Sequence, residues 1–388
     1  MPQTLSARRL ITAAQTIDWP ILIIDNDGLI TSIEPNAAPR ASEIILAPTL
    51  LDIHTHGGGG HDVMEGTPEA LCSVSRFHAR HGVGHYLPTT VTASIDKTLT
   101  SLEGIAQAIE SAHGPGWDPN YALPIGIHLE GPFISHAKRG VHPPAEILPP
   151  DITLFDRFQQ AANGYIRLIT IAPEIPGALD LIRHCSEHGV RVSIGHTNAT
   201  TAEALAGIQA GARSATHTYN AMRALDHREP GVLGVVLDDN NLYAELICDG
   251  VHVAPELVRL WLKAKGPNHA ILVTDSMAAA GMPDGEYTLG TFAVHVSNGR
   301  AYAADDLSKG KHTLAGSVLT LDRAVENVQR FTGTSLETAV RLASANPFAM
   351  LGMERPLDEI APGKPANLNI FNAAGERIRT LRYGNPVE

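Results

Sequence analysis

Cysteine is scarce in this chain of 388 residues: Cys72, Cys185 and Cys248 stand far apart and form no CxxC pair. An odd number at such spacing argues against a disulfide framework and fits a reducing compartment. Long apolar runs are missing too; none approaches the roughly 18 residues that a membrane-spanning helix requires. Near the N-terminus, Arg8 and Arg9 precede the apolar stretch from Pro20 to Ile24, but it is short and bracketed by Asp18 and Asp25. No export signal is therefore expected, and a cytoplasmic location is. Basic runs are absent as well, with 29 Lys and Arg against 41 Asp and Glu for a net charge of −12. That balance excludes a nucleic-acid-binding face, and an anionic ligand would need cations gathered locally. Neither GxGxxG nor GxxxxGK[ST] occurs, so Gly57 to Gly60 is expected to form a turn and not a phosphate cradle. No internal repeat or low-complexity segment is found.

What the chain does hold is 19 histidines on a regular α/β pattern. Between about residues 49 and 350, eight short apolar runs alternate with helical stretches, the signature of a parallel sheet. The runs are Leu50 to His54, Val83 to Pro88, Ile125 to Glu130, Ile166 to Ala172, Val190 to Gly195, Ser214 to His217, Tyr243 to Cys248 and Ala270 to Thr274. Helix starts are marked by Thr67-Pro68, Ser94 and Thr201-Ala202-Glu203, with Gly82 closing the first helix. Eight such units predict a (β/α)8 TIM barrel. Outside it, the runs Ile21 to Ile24 and Leu29 to Ile33 flank Asp25-Asn26-Asp27-Gly28 as a β-hairpin, and Ala366 to Phe371 begins a β-rich C-terminus. The two termini are expected to pair into one small β-sandwich domain, 1–48 plus 359–388, around a barrel at 49–358. A β-hairpin insertion is expected at 285–305, followed by helices at 317–331 and 335–344.

The chemistry lies at the strand ends. The first strand runs into His54-Thr55-His56, the third into Glu130, the fifth into His196, the sixth into His217, the seventh to Asp249 and His252, the eighth into Asp275. Catalytic groups of a β/α barrel collect at the C-terminal ends of its strands. Period-two alternation puts His54 and His56 on one face. Glu130, His196 and His217 suit one divalent ion, Zn(II) or else Fe(II), Co(II), Mn(II) or Ni(II). A second ion near His54 and His56 would be bridged by Glu130 or hydroxide. Zinc lowers the pKa of bound water to about 7, which supplies a nucleophile; Asp275 fits the base that takes its remaining proton and returns it to a departing nitrogen. His78, His81, His113, His184, His188, His295 and His312 are read as ordinary hydrogen-bonded or solvated side chains.

Several motifs together resemble the N-acetylglucosamine-6-phosphate deacetylases of the amidohydrolase superfamily: Asp52-Ile53-His54-Thr55-His56-Gly57, His128-Leu129-Glu130-Gly131-Pro132-Phe133, Gly140-Val141-His142-Pro143, Gly195-His196-Thr197, His217-Thr218-Tyr219-Asn220-Ala221-Met222, His227-Arg228-Glu229-Pro230-Gly231, Asp249-Gly250-Val251-His252, Thr274-Asp275 and Leu314-Ala315-Gly316-Ser317. The resemblance covers nearly the whole chain. It implies hydrolysis of N-acetylglucosamine 6-phosphate to glucosamine 6-phosphate and acetate by a homodimer carrying one or two ions per subunit. It implies Glu130, His196 and His217 as ligands of the principal ion, Asp275 as acid/base, and His142 polarising the acetamide carbonyl. Val141, Asn220, Ala221, Asp249, His252, Leu314, Ala315 and Gly316 would surround the substrate, with Arg228 reaching in from the neighbouring subunit. Another amidohydrolase acting on N-acyl amino acids or cyclic amides is the alternative; the cyclic amidases bridge two ions with a modified lysine, and Glu130 takes that place here.

Overall fold

The structure, a computed structural model, describes residues 2–35, 42–353 and 357–388. Residues 36–41, expected in the sandwich, and 354–356, expected in the barrel, lie outside the described residues. All eight expected barrel strands are present: Leu50–Thr55, Val83–Thr90, Ile127–Glu130, Ile166–Ile171, Arg191–Ile194, Ser214–Ala215, Tyr243–Ile247 and Ala270–Val273. They pair in parallel and in chain order. The ring closes at its C-terminal end, where the Asp275 N–H donates to His54 O at 2.8 Å and the His56 N–H to Ser276 O at 2.7 Å. Unbroken apolar runs become strands because a parallel barrel is covered on both faces, by side chains within and helices without.

Helix starts follow the capping chemistry. Thr67 caps Pro68–Arg80 and Ser94 caps Ile95–Ala112. Thr200, one residue before the expected start, closes a reciprocal capping box with Glu203 at the head of Thr201–Ala210. The helix expected from 317 begins at Leu321 instead. Ser317 is held extended, its N–H donating to Asp275 O at 2.7 Å and its hydroxyl to Thr274 O at 2.6 Å, so the chain cannot coil until it has passed the eighth strand. The insertion expected as a hairpin is a three-stranded antiparallel sheet, Gly285–Leu289, Phe292–Ser297 and Arg300–Ala303. The Asn298-Gly299 turn adds the third strand, with both residues at positive φ.

Both chain ends build the small sandwich. Ile45–Pro48 pairs antiparallel with Leu368–Phe371 and parallel with Arg9–Ile11, in a sheet that also holds Thr16–Asp18, Arg377–Arg382 and Asn385–Pro386. A second sheet, Gln3–Ser6, Pro20–Ile24 and Ile30–Pro35, faces it across Leu10, Leu22, Ile24, Ile30, Leu46, Leu368 and Leu381. The predicted hairpin turn is there, with Asp25 Oδ1 receiving the Asp27 and Leu29 N–H groups at 3.0 and 2.9 Å.

Sandwich and barrel are joined through buried charge. Asp358 takes hydrogen bonds from Thr49 Oγ1, His85 Nδ1 at 2.9 Å and Asn367 Nδ2 at 3.1 Å, with Arg382 Nη1 at 3.9 Å. Although burial opposes it, His85, Arg382 and Thr49 hold the carboxyl down at about 2.

Candidate metal centre

Five strands aim their side chains into one mouth. His54 and His56 leave the first strand on the same face, and Glu130 is the last residue of the third. His196, His217 and Asp275 are each the second residue beyond the fifth, sixth and eighth strands, and each has left-handed backbone, with φ of 46°, 29° and 49°. That conformation costs a non-glycine residue on the order of 1–3 kcal/mol. It ends the strand and turns the side chain inward; the sixth strand accordingly stops at Ala215 and does not reach His217.

The donor atoms converge. Glu130 Oε1, His196 Nε2 and His217 Nε2 lie 3.0 to 3.2 Å from one another. Tetrahedral zinc with bonds of about 2.0–2.1 Å places its ligands roughly 3.3 Å apart, so the triangle matches the size of one ion's coordination face. Beside it, Asp275 Oδ1 lies 3.0 Å from His56 Nε2 and 3.5 Å from His54 Nε2. The other Glu130 oxygen is 3.2 Å from His56 Nε2, so one carboxylate faces both groups.

The imidazoles are set as ligands by what their other nitrogens do. His56 Nδ1 donates to Thr89 O at 2.8 Å and His196 Nδ1 to Lys138 O at 2.9 Å, which leaves each Nε2 lone pair for a cation. His142 has the opposite tautomer. Its Nδ1 receives the Thr92 N–H at 3.4 Å and lies 2.7 Å from Thr92 Oγ1, so its proton sits on Nε2. His142 is close enough to Glu130 and His196 to be grouped with them as a possible ligand. An N–H cannot ligate, however, and Nε2 stands 3.8 Å from Glu130 Oε2; we read it as a donor to a bound molecule. Burial lowers its pKa to about 3, so the ring is neutral.

The electrostatics call for positive charge. Burial works against protonated His56, yet hydrogen bonds and attraction from Asp275 and Glu130 hold it up to about 9. His54 is raised too, by Glu130 and Asp275 against the same penalty. Asp275 is itself brought down to about 2 by His54 and His56, although burial pulls the other way. Carboxylates that hold protons on buried imidazoles have the charge and donor set to hold a divalent cation in place of those protons.

A cavity of about 320 Å³ opens above these groups. Of the residues expected to bind substrate, Val141, His142, Asn220, Ala221, His252, Leu314 and Gly316 line it. Three do not. Ala315 is fully buried in the apolar cluster beneath, because the chain alternates faces between Leu314 and Gly316. Asp249 accepts from His252 Nδ1 at 2.7 Å, and so positions that ring from behind the wall. Arg228 is exposed on the 223–230 loop and does not line the cavity of its own chain. Among the histidines read as ordinary, His312 does line the mouth, and His78 is buried against Thr55 Oγ1 at 3.1 Å. Val91, Leu289 and Thr313 were also missed; the last two approach the mouth from the inserted sheet and the segment after it, which no local pattern could dock there. A second cavity, about 310 Å³, lies between sandwich and barrel, lined by Ile17, Ile33, Phe348 and Ile360. Its Asp358 is already committed to the partners above.

A closed parallel barrel with imidazoles and carboxylates converging at its strand ends defines a hydrolase of the amidohydrolase type. The amidohydrolase family model matches residues 45–387. The chain is 40% identical to an N-acetylgalactosamine-6-phosphate deacetylase of Escherichia coli O157:H7, over 95% of this chain and 94% of that one. It is 36% identical to the N-acetylglucosamine-6-phosphate deacetylase of Bacillus subtilis, over 93% and 91%. A crystallised variant of N-acetyl-D-glucosamine-6-phosphate deacetylase from Mycobacterium smegmatis, solved in complex with N-acetyl-D-glucosamine-6-phosphate, superposes with a TM-score of 0.90 at 32% identity, over 100% of this chain and 99% of that one. The chain belongs to the N-acetylglucosamine-6-phosphate deacetylase family of amidohydrolases.

Proposed function

We propose that this enzyme removes the acetyl group from N-acetylglucosamine 6-phosphate, giving glucosamine 6-phosphate and acetate. The observation that carries the reading is the meeting of Glu130, His196 and His217 within 3.2 Å, with Asp275 and His142 facing the same cavity. Glu130, His196 and His217 would hold the principal ion, for which zinc fits the donor set; His54, His56 and Asp275, with Glu130 shared, would hold a second. A cation bound there supplies Lewis acidity and a nucleophile from water at neutral pH. Asp275, kept ionised by its imidazole neighbours, accepts the nucleophile's proton and delivers it to the departing nitrogen. His142 Nε2–H donates to the acetamide oxygen, where negative charge develops.

Recognition of the phosphate needs cations within an acidic protein. Burial disfavours charge on His252, but Asp249 outweighs it and raises the ring, which suits a cationic donor. Arg228 would enter from the second copy in a homodimer, consistent with its exposure and its absence from its own chain's cavity. Asn220, the Ala221 backbone, Leu314 and Gly316 would hold the sugar. The sandwich, 1–48 plus 359–388, would act as a separate unit supporting the barrel of 49–358. We place the enzyme in the cytoplasm, in keeping with three free cysteines.

The relative named for the galactosamine substrate favours a second reading, N-acetylgalactosamine 6-phosphate, which differs only at C4. Incubating the zinc-loaded enzyme with each epimer and measuring acetate decides between them by kcat/KM. Acetate and free amine in equal amounts are expected; ammonia, or no turnover of either sugar, would overturn the reading.

A further inference from the structure

Glu245 has no part in the mechanism above. It lies within the seventh barrel strand, between Ala244 and Leu246, and is wholly buried. Its Oε2 is 3.2 Å from His54 Nδ1 and receives the His217 backbone N–H at 3.4 Å. Its Oε1 has no hydrogen-bond partner among the described residues. A buried polar atom left unpaired is destabilising, and more so when it carries charge. Its strand neighbours are apolar, and the positive charge that could compensate lies one imidazole away, in the centre itself.

We propose that Glu245 is the positioning residue of the second cation position: it orients His54 and supplies the negative charge that lets a second divalent ion bind beside the first. This rests on the metal-hydrolase reading in its two-ion form. Donation of the His54 Nδ1 proton to Glu245 leaves Nε2 aimed at Glu130 Oε1 and Asp275 Oδ1, 3.5 Å from each. His56 and His196 are oriented by backbone carbonyls, and His217 Nδ1 has no hydrogen-bond partner among the described residues. Among the described histidines that would ligate an ion, only His54 therefore has a carboxylate behind its ring. A carboxylate raises the ring's basicity as a ligand and holds its tautomer. Two divalent ions bring four positive charges into a buried mouth, of which Glu130 and Asp275 offset two. Glu245 offsets a third from beyond the ligands. Asp52, also buried close by, accepts from Thr274 Oγ1 at 2.6 Å and from the His54 backbone N–H at 3.3 Å, so it holds the main chain there and not the His54 ring.

Zinc binding to the full chain by equilibrium dialysis tests this. The wild type is expected to take two ions. Glu245→Gln, which keeps an oxygen for both N–H groups but removes the charge, is expected to bind the first with unchanged affinity and the second about 10–100-fold more weakly. Glu245→Asp, which keeps the charge, should recover part of that loss. In a His54→Asn background, Glu245→Gln should weaken the second ion by a smaller factor than in the wild type, because only the charge and not the orientation of the ring is then left to lose. Two ions bound by Glu245→Gln at wild-type affinity would overturn the proposal and leave the hydrolase reading standing. One ion on the wild type removes the second position and this proposal with it; none removes the hydrolase reading as well. If Glu245→Gln does not fold, nitrogen-15 shifts of the His54 ring in the zinc-loaded wild type decide. A proton on Nδ1 and metal on Nε2 support the proposal, and the reverse contradicts it.

Discussion

Asp275 is ionised and His142 neutral within one cavity, and their surroundings explain both. Two imidazoles keep the Asp275 carboxyl ionised, so it can accept a proton; burial keeps the His142 ring neutral with its proton on Nε2, so it can donate one hydrogen bond. Asp275→Asn is therefore expected to lower kcat by about 10²–10⁴-fold, the usual scale for losing a general acid/base, while the ion at Glu130, His196 and His217 stays bound. Zinc analysis alongside steady-state rates checks this, and a near-normal rate would exclude the role. His142→Ala should reduce kcat by roughly 10²–10³-fold with little change in KM, because the lost bond strengthens only as charge develops on oxygen. A rise in KM alone would make His142 a simple binding residue.

The strands and their site residues were legible for a common reason. A barrel strand is short, apolar and covered on both faces, so its identity is local, and the residue just beyond it must face the mouth. Strand ends were less legible. Ser214 to His217 is expected as one strand, yet the left-handed backbone at His217 goes with a strand that ends at Ala215. Glu245 left a signal that could have been used: a carboxylate inside the run Tyr243 to Cys248, at a position where solvent cannot reach it. Docking of the inserted sheet was beyond sequence, because Leu289, His312 and Thr313 approach the mouth through tertiary contacts only. Among the helices, Thr200→Ala removes one half of the capping box on Thr201–Ala210 and should destabilise the enzyme by about 1 kcal/mol, read from urea unfolding. No measurable change would mean that the helix is held by packing alone.

Across the whole molecule, the buried Asp358 cluster ties the sandwich to the base of the barrel and makes stability depend on pH. Its folded pKa, about 2, lies below the ordinary 3.8, so its contribution is complete above the unfolded value and is lost as pH falls through the folded one. The shift corresponds to roughly 2 kcal/mol, of which about half should be gone by pH 3. Urea unfolding at pH 6 and pH 3 is expected to show a smaller acid loss for Asp358→Asn than for the wild type; equal losses would remove Asp358 from the acid response. The same scale governs Arg228. If Arg228 enters from a second copy, mixing Arg228→Ala chains with Asp275→Asn chains, each impaired alone, should raise activity with phosphorylated substrate, because the second chain would lend its arginine to the first chain's intact Asp275. No recovery after subunit exchange would place Arg228 in its own chain's site or outside the mechanism.

The proposed chemistry depends on one cation seated among three strand ends. Anomalous diffraction at the zinc edge from zinc-loaded crystals measures that directly. The principal peak is expected within about 2.0–2.2 Å of Glu130, His196 Nε2 and His217 Nε2. A principal peak elsewhere, or none at these three residues in protein that still releases acetate, would contradict the account.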